Sequence, residues 1–191
     1  MCAGKNTSKS AQILCPWWIC FTFDNPIRKM FQKPERILRP YIKEGYKILD
    51  VGPGMGYFTI PMARLVGESG QVIAADLQTK MLEGIHRRAV RAGVQDRVVL
   101  HQSSPDKLGV DGPLDFALSF WMMHEVTSKA GLIADIRSVL KPGSLFLLAE
   151  PKLHVTYATF AHSVEIAQKA GFKIVERPSI FITNAVLLRK E

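Results

Sequence analysis

No stretch of the 191-residue chain approaches the roughly 20 consecutive apolar residues of a membrane-spanning helix, so no span is predicted. A secretory leader is not expected either. Residues 1–10 are polar, and the short apolar piece 13–23 is broken by Pro16 and shows no small-residue cleavage pattern. A cytoplasmic location is the resulting expectation. Cysteine is scarce: Cys2, Cys15 and Cys20 are the only three, all within the first 20 residues. No second pair or nearby histidine completes a ligand set around Cys15 and Cys20, which leaves free thiols or a metal or redox pair. Excess charge is missing from most of the chain. Residues 1–47 carry nine bases against three acids, whereas the other 144 residues carry 16 against 14. A basic N-terminal extension can serve nucleic acid, an anionic surface or an acidic substrate, and equally can be a solvated face. No internal repeat interrupts the chain.

What the chain does contain is a glycine loop. Lys47 to Val51 reads as a short buried strand, Gly52, Gly54 and Gly56 follow at alternate positions, and Tyr57 to Val66 is compatible with a helix. Glycine at a strand-to-helix turn supplies unusual dihedrals and lets a ligand touch bare main chain. The dinucleotide fingerprint wants its third glycine one place later, where Tyr57 stands. Gln71 to Leu77 reads as the next strand, with Asp76 at its carboxyl end, 24 residues past Gly52. A carboxylate there can accept two hydrogen bonds from the ribose of an adenosine ligand.

This loop, G-x-G-x-G after an acid, resembles motif I of the class I S-adenosylmethionine (SAM) methyltransferases. The resemblance covers about residues 34–191 and implies an α/β fold. That fold is a doubly wound seven-stranded sheet, mostly parallel with an antiparallel last strand, and helices on both faces. Residues 1–33 then form an extension, and by the same resemblance Trp17, Trp18, Phe21 and Phe23 are candidate lid residues or a cap on the core. The cofactor implied is SAM, held by Asp50, Gly52, Pro53, Gly54, Gly56, Asp76 and Leu77. Ser104 falls where the family often has an acid at the adenine amine, and Ser119, on the fourth strand, is a further candidate for cofactor contact.

The remaining pattern is compatible with that fold. Lys80 to Gly93 is an amphipathic helix with Leu82, Ile85 and Ala89 inward, and Gly93 ends it. Arg97 to His101 and Leu114 to Trp121 read as the third and fourth strands. A helix through Leu132, Ile136 and Val139 ends at Lys141-Pro142-Gly143, before a fifth strand from Ser144 to Ala149. After a further helix, Phe172 to Glu176 and Ala185 to Arg189 close the sheet.

Two absences narrow the chemistry. No Asn/Asp-Pro-Pro-Tyr run follows the fourth strand, and no cysteine lies there to attack a pyrimidine. Instead Phe120-x-x-x-His124 resembles the pattern of small-molecule methyltransferases. His124 and His154 are candidate bases, both at expected carboxyl ends of strands, with Glu150 or Glu125 to orient a histidine or hold a cationic acceptor. His86, His101 and His162 read as surface residues, and no metal set appears. Three readings stand: a SAM-dependent methyltransferase of a small molecule, an RNA or protein methyltransferase docking through the basic extension, or a non-catalytic SAM-binding module.

Overall fold

In a computed structural model of the protein, residues 32–191 are described. The lid or cap expected of Trp17, Trp18, Phe21 and Phe23, and the state of Cys15 and Cys20, therefore lie outside the described residues. The described chain starts with α1 (Pro34–Leu38) and then alternates. The elements are β1 (Lys47–Val51), α2 (Thr59–Leu65), β2 (Gln71–Asp76), α3 (Thr79–Ala92), β3 (Val98–Gln102) and β4 (Leu114–Phe120). They continue with α4 (Lys129–Val139), β5 (Leu140–Pro151), α5 (Tyr157–Lys169), β6 (Phe172–Glu176) and β7 (Thr183–Lys190). The seven strands lie in one sheet, ordered β3-β2-β1-β4-β5-β7-β6, with β7 antiparallel to both neighbours. This is the expected doubly wound sheet.

Pleating splits the strands between two cores. Leu49, Ala117, Phe146 and Leu148 meet Ile133 and Ile136 of α4 and Phe160 and Val164 of α5. Ile48, Phe116, Leu118 and Leu147 point the other way, toward Leu38 of α1 and Met62 and Ala63 of α2. Successive residues of a strand face opposite sides. A strand covered on both faces therefore reads as a mostly apolar run without strict alternation, which is how β1, β4 and the second half of β5 read.

The helices begin and end where capping chemistry dictates. Ser128 accepts from the Gly131 amide at the start of α4, and Thr156 does the same for Thr159 at the start of α5. Gly93, at φ 66°, closes α3 in the left-handed conformation. Two expectations need correction. The helix after the glycine loop starts at Thr59 rather than Tyr57, because the turn carrying Gly56 runs longer than anticipated. The Lys-Pro-Gly segment belongs to β5 instead of a separating turn. Between Leu114↔Leu140 and Phe116↔Leu145 the register slips, so residues 141–144 bulge out of the ladder.

The strand order reverses between β1 and β4, whose carboxyl ends adjoin through Val51↔Ser119. Such a switch point opens a crevice outside the sheet. Gln32 sits at its rim: its side chain donates to Phe181 O (2.9 Å) and Thr183 Oγ1 (3.1 Å), and Tyr57 donates to its carbonyl. Among the described residues, no helix is long and apolar enough to cross a membrane.

Candidate active site

The crevice is a cavity of about 360 Å³. One end is built by the loop after β1. Gly52, Gly54 and Gly56 all have positive φ (61°, 54° and 84°), a conformation that side chains strain to adopt. A Cβ on Gly52 would lie 2.9 Å from Met122 Cγ and Cε, so Gly52 is the contact that lets the loop close on the segment after β4. Gly54 differs: nothing lies within 4 Å of where its Cβ would be, and its main chain faces the cavity.

Asp76 ends β2 beside this loop. Its carboxylate accepts from the Gln78 amide at 2.8 Å and from the amides of Gly54 and Leu77. Burial pushes its pKa up to about 6. The amides of Gln78 and Gly54 oppose that rise, the charge of Glu125 adds to it, and the Leu77 amide lowers it slightly. Leu77, Gln78, Ser103 and Ser104 continue the wall. A bare main-chain cradle at Gly54 and a half-buried carboxylate one strand over fit the adenosyl half of SAM. The carboxylate can take the ribose hydroxyls and the loop can meet the chain beyond them.

Three residues expected at the ligand stay behind the wall. Asp50 is sealed on the α2 side, where Thr59 Oγ1 donates to it at 2.7 Å. It anchors the start of that helix and does not reach the cavity. Burial drives its pKa up to about 7, against the Thr59 hydrogen bond and with help from the charge of Asp76. Ser119 shares the pleat of Ala117, so it faces the opposite core, buried and without a hydrogen-bond partner for Oγ. Gly56 packs on Ile85 of α3 rather than on the cavity.

The Asp50 result carries a prediction. An acid whose folded pKa exceeds its unfolded one holds a proton longer in the folded state. Folded stability therefore falls as pH rises from about 4 to about 7. Asp50→Asn keeps an acceptor for Thr59 and removes that loss. The melting temperature of the variant, relative to wild type, is expected to climb between pH 5 and pH 8. A pH-independent difference would show that Asp50 is ionised throughout.

The other end of the cavity holds titratable groups. Trp121 leaves β4 at φ 63°, in the left-handed region that few non-glycine residues adopt. Its amide still reaches Ala149 O (2.8 Å), and its indole donates to Thr183 Oγ1 (3.2 Å). This sharp exit turns the chain into the short 3₁₀ segment Met123–Glu125. There Glu150, 1% exposed at the end of β5, accepts the Met123 amide at 2.8 Å through Oε1. Its Oε2 takes His124 Nδ1 at 2.5 Å. Burial pulls the His124 pKa down, but the hydrogen bond and charge of Glu150, with the charge of Glu125, outweigh that and the opposing Lys129. The net shift is upward. His154 Nε2 lies 3.1 Å from His124 Nε2. Both histidines line the cavity, whereas Glu150 acts from behind them. Phe58, Phe120 and Trp121 form an aromatic wall between the two ends. Among the described residues, no group of three or more acids, histidines or cysteines is placed to hold a metal.

Sequence reasoning missed Trp121, whose backbone strain has no local signal. It also missed Asp135, which lines the cavity from α4 and accepts the Leu108 amide at 2.8 Å. That bond steadies the loop carrying Ser104, and the 27-residue separation hides it from any local pattern.

A glycine loop, an acidic strand end and a cavity at the switch point of a β3-β2-β1-β4-β5-β7-β6 sheet define the class I SAM-dependent methyltransferase fold. The model of the family described as methyltransferase domain matches residues 42–177, so the chain belongs to that family. It is 34% identical over 110 residues to the ubiquinone/menaquinone biosynthesis C-methyltransferase UbiE of Azotobacter vinelandii, which is 57% of this chain and 44% of that one. To the UbiE of a Marinomonas species it is 31% identical over 119 residues, 62% and 47% of the two chains. The chain thus spans less than half the length of these relatives. A SAM-dependent methyltransferase from Aquifex aeolicus superposes with a TM-score of 0.83 at 22% identity, covering 93% of this chain and 100% of that one. The [4+2]-cyclase SpnF superposes at 0.69 and 16% identity, covering 83% and 80%. One sheet thus carries more than one reaction, and the chemistry has to be argued from the site.

Proposed function

We propose that this chain transfers a methyl group from SAM to a small-molecule acceptor, with a histidine at the far end of the cavity taking a proton from that acceptor. The bound cofactor supplies an electrophilic methyl on a sulfonium, open to in-line displacement. The chain's own part is positioning, which supplies most of the acceleration in such a reaction. Asp76 and the loop from Gly52 to Gly54 hold the adenosyl end. Phe58, Phe120 and Trp121 offer flat apolar faces, which suit a partly apolar acceptor and keep water from the reacting pair. The observation that carries the reading is that His124, hydrogen-bonded from behind by Glu150, lines the same cavity as Asp76. A base is needed only where the acceptor must lose a proton before it attacks, so the pair favours an acceptor with an acidic hydroxyl or carbon. The curated relatives' names, C-methyltransferases of quinone biosynthesis, support a carbon acceptor of that kind. The aromatic wall and the two histidines of the cavity favour the small-molecule reading, and the basic extension that would dock RNA lies mostly outside the described residues. A cytoplasmic setting is part of the same proposal.

Calorimetry with SAM and with its demethylated product tests the cofactor half. Asp76→Asn is expected to raise Kd about tenfold or more, since two charge-assisted hydrogen bonds weaken. Wild-type affinity is expected to fall as pH drops below about 6, where the carboxyl takes up its proton, and the variant to lose that slope. An unchanged Kd in the variant refutes the ribose assignment. Label transfer from methyl-labelled SAM to hydroxylated aromatic and enolic compounds tests the acceptor half.

A further inference from the structure

We infer that His154, rather than His124, is the group that meets the acceptor, and that His124 stores the proton His154 relays inward. The inference rests on the reading that the acceptor is deprotonated, and it follows from donor and acceptor arithmetic along one chain of atoms. An ionised carboxylate only accepts hydrogen bonds, so the 2.5 Å contact with Glu150 Oε2 puts a proton on His124 Nδ1. A neutral imidazole carries one N–H, which leaves His124 Nε2 as a bare lone pair. That lone pair faces His154 Nε2 at 3.1 Å, a hydrogen-bond distance that requires His154 Nε2 to donate. His154 Nδ1 is therefore the bare nitrogen, and it has no partner among the described residues. The burial gradient runs the same way: Glu150 is sealed, His124 is half-buried and His154 is exposed at the cavity's edge.

Both ring nitrogens of His124 are thus in use, and of the two histidines it is His154 that has a lone pair left for an acceptor. The step balances. The acceptor's O–H or C–H proton goes to His154 Nδ1, leaving its electron pair for the methyl carbon. The His154 Nε2 proton passes to His124 Nε2. His154 ends neutral in the opposite tautomer, and His124 ends as imidazolium with its Nδ1–H still on Glu150. The charges around His124 favour that end state. Glu150 from β5 touches Nδ1, Glu125 of its own turn lies 3.9 Å from Nε2, and Lys129 of α4 is the one opposing cation among the described residues. The raised pKa of His124 has the same origin. After transfer the proton returns through His154 to water.

The test is nitrogen NMR of the full chain with labelled histidine, titrated between pH 5 and pH 9, in wild type and His154→Gln. Glutamine keeps an N–H to offer His124 and cannot relay a proton. The expected neutral tautomers are Nδ1–H for His124 and Nε2–H for His154. On acidification the first proton should appear on His124, and two coupled steps in wild type should become one in the variant. A neutral His154 protonated at Nδ1, or a first proton resident on His154, overturns the relay. A melting temperature within a few degrees of wild type shows that the variant is folded. Cofactor calorimetry runs separately: loss of SAM binding would remove the methyl-transfer reading while leaving the measured tautomers standing.

Discussion

Replacing His124 with alanine is expected to lower methyl transfer to an acceptor that must be deprotonated by up to about 10²–10⁴-fold, the usual worth of general-base catalysis, because His154 then has no store to pass its proton to. The loss should fall on kcat. The hydrogen bonds of His124 run to Glu150 and His154, not to Asp76 or the glycine loop, so Kd for SAM should change less than threefold. The pH profile should change too. Wild-type kcat/KM should rise with pH through the raised His124 titration, because the proton store must be empty to work, whereas the variant should lose that limb. Removing His124 also leaves the buried Glu150 carboxylate, among the described residues, with only the Met123 amide, at 2.8 Å, as its hydrogen-bond partner. An uncompensated buried carboxylate is destabilising. The double variant His124→Leu with Glu150→Gln controls for this: it should be more stable than His124→Ala and equally inactive. An activity loss that follows melting temperature across these variants, with the pH limb intact, would reassign the pair to structure.

The pair also shows what local reading can reach. Asp76 was legible because everything that identifies it lies on one short path: an apolar strand, its end, and a fixed distance from a glycine turn. His124 and Glu150 were each visible as polar residues at strand ends. That they share a hydrogen bond depends on β4 and β5 being parallel neighbours with Phe120 opposite Ala149. This register puts the residue after Ala149 beside the turn after Phe120. A contact across 26 residues is set by strand order, which no window of sequence contains. Asp50 and Ser119 were misplaced for a related reason. Both sit in apolar runs covered on two faces, where alternation gives no hint of which side a residue takes. The seven strands themselves were legible because long apolar runs between turn residues survive that ambiguity. The bulge at residues 141–144 was not, since Pro and Gly read as a turn unless a neighbouring strand carries the ladder past them.

Gly52 and Gly54 look alike in sequence, yet their replacements should fail in different ways. Gly52→Val meets two obstacles in the folded protein. A β-branched residue at φ 61° costs about 1–2 kcal/mol or more. Its Cβ would also press on Met122 at 2.9–3.0 Å, including Met122 Cβ, which cannot swing aside without moving the main chain. Overpacking of that kind costs about 1–3 kcal/mol, so a drop of roughly 5–15 °C in melting temperature is expected for a chain of this size. Met122 leads directly into the turn that presents His124, so the displacement should also lower activity. Gly54→Ala meets open space instead. It should cost about 1 kcal/mol of backbone strain and little melting temperature, while its methyl group intrudes where the cofactor is proposed to touch main chain. There the expected result is a Kd for SAM raised roughly five- to hundredfold, from about 1–2.7 kcal/mol of steric cost. Thermal melts with and without SAM separate the two. Gly52→Val should melt early in both conditions, whereas Gly54→Ala should melt near wild type alone and lose most of the stabilisation that SAM gives. If Gly54→Ala retained that stabilisation in full, the loop would not be gripping the cofactor and the site would have to be sought elsewhere along the crevice.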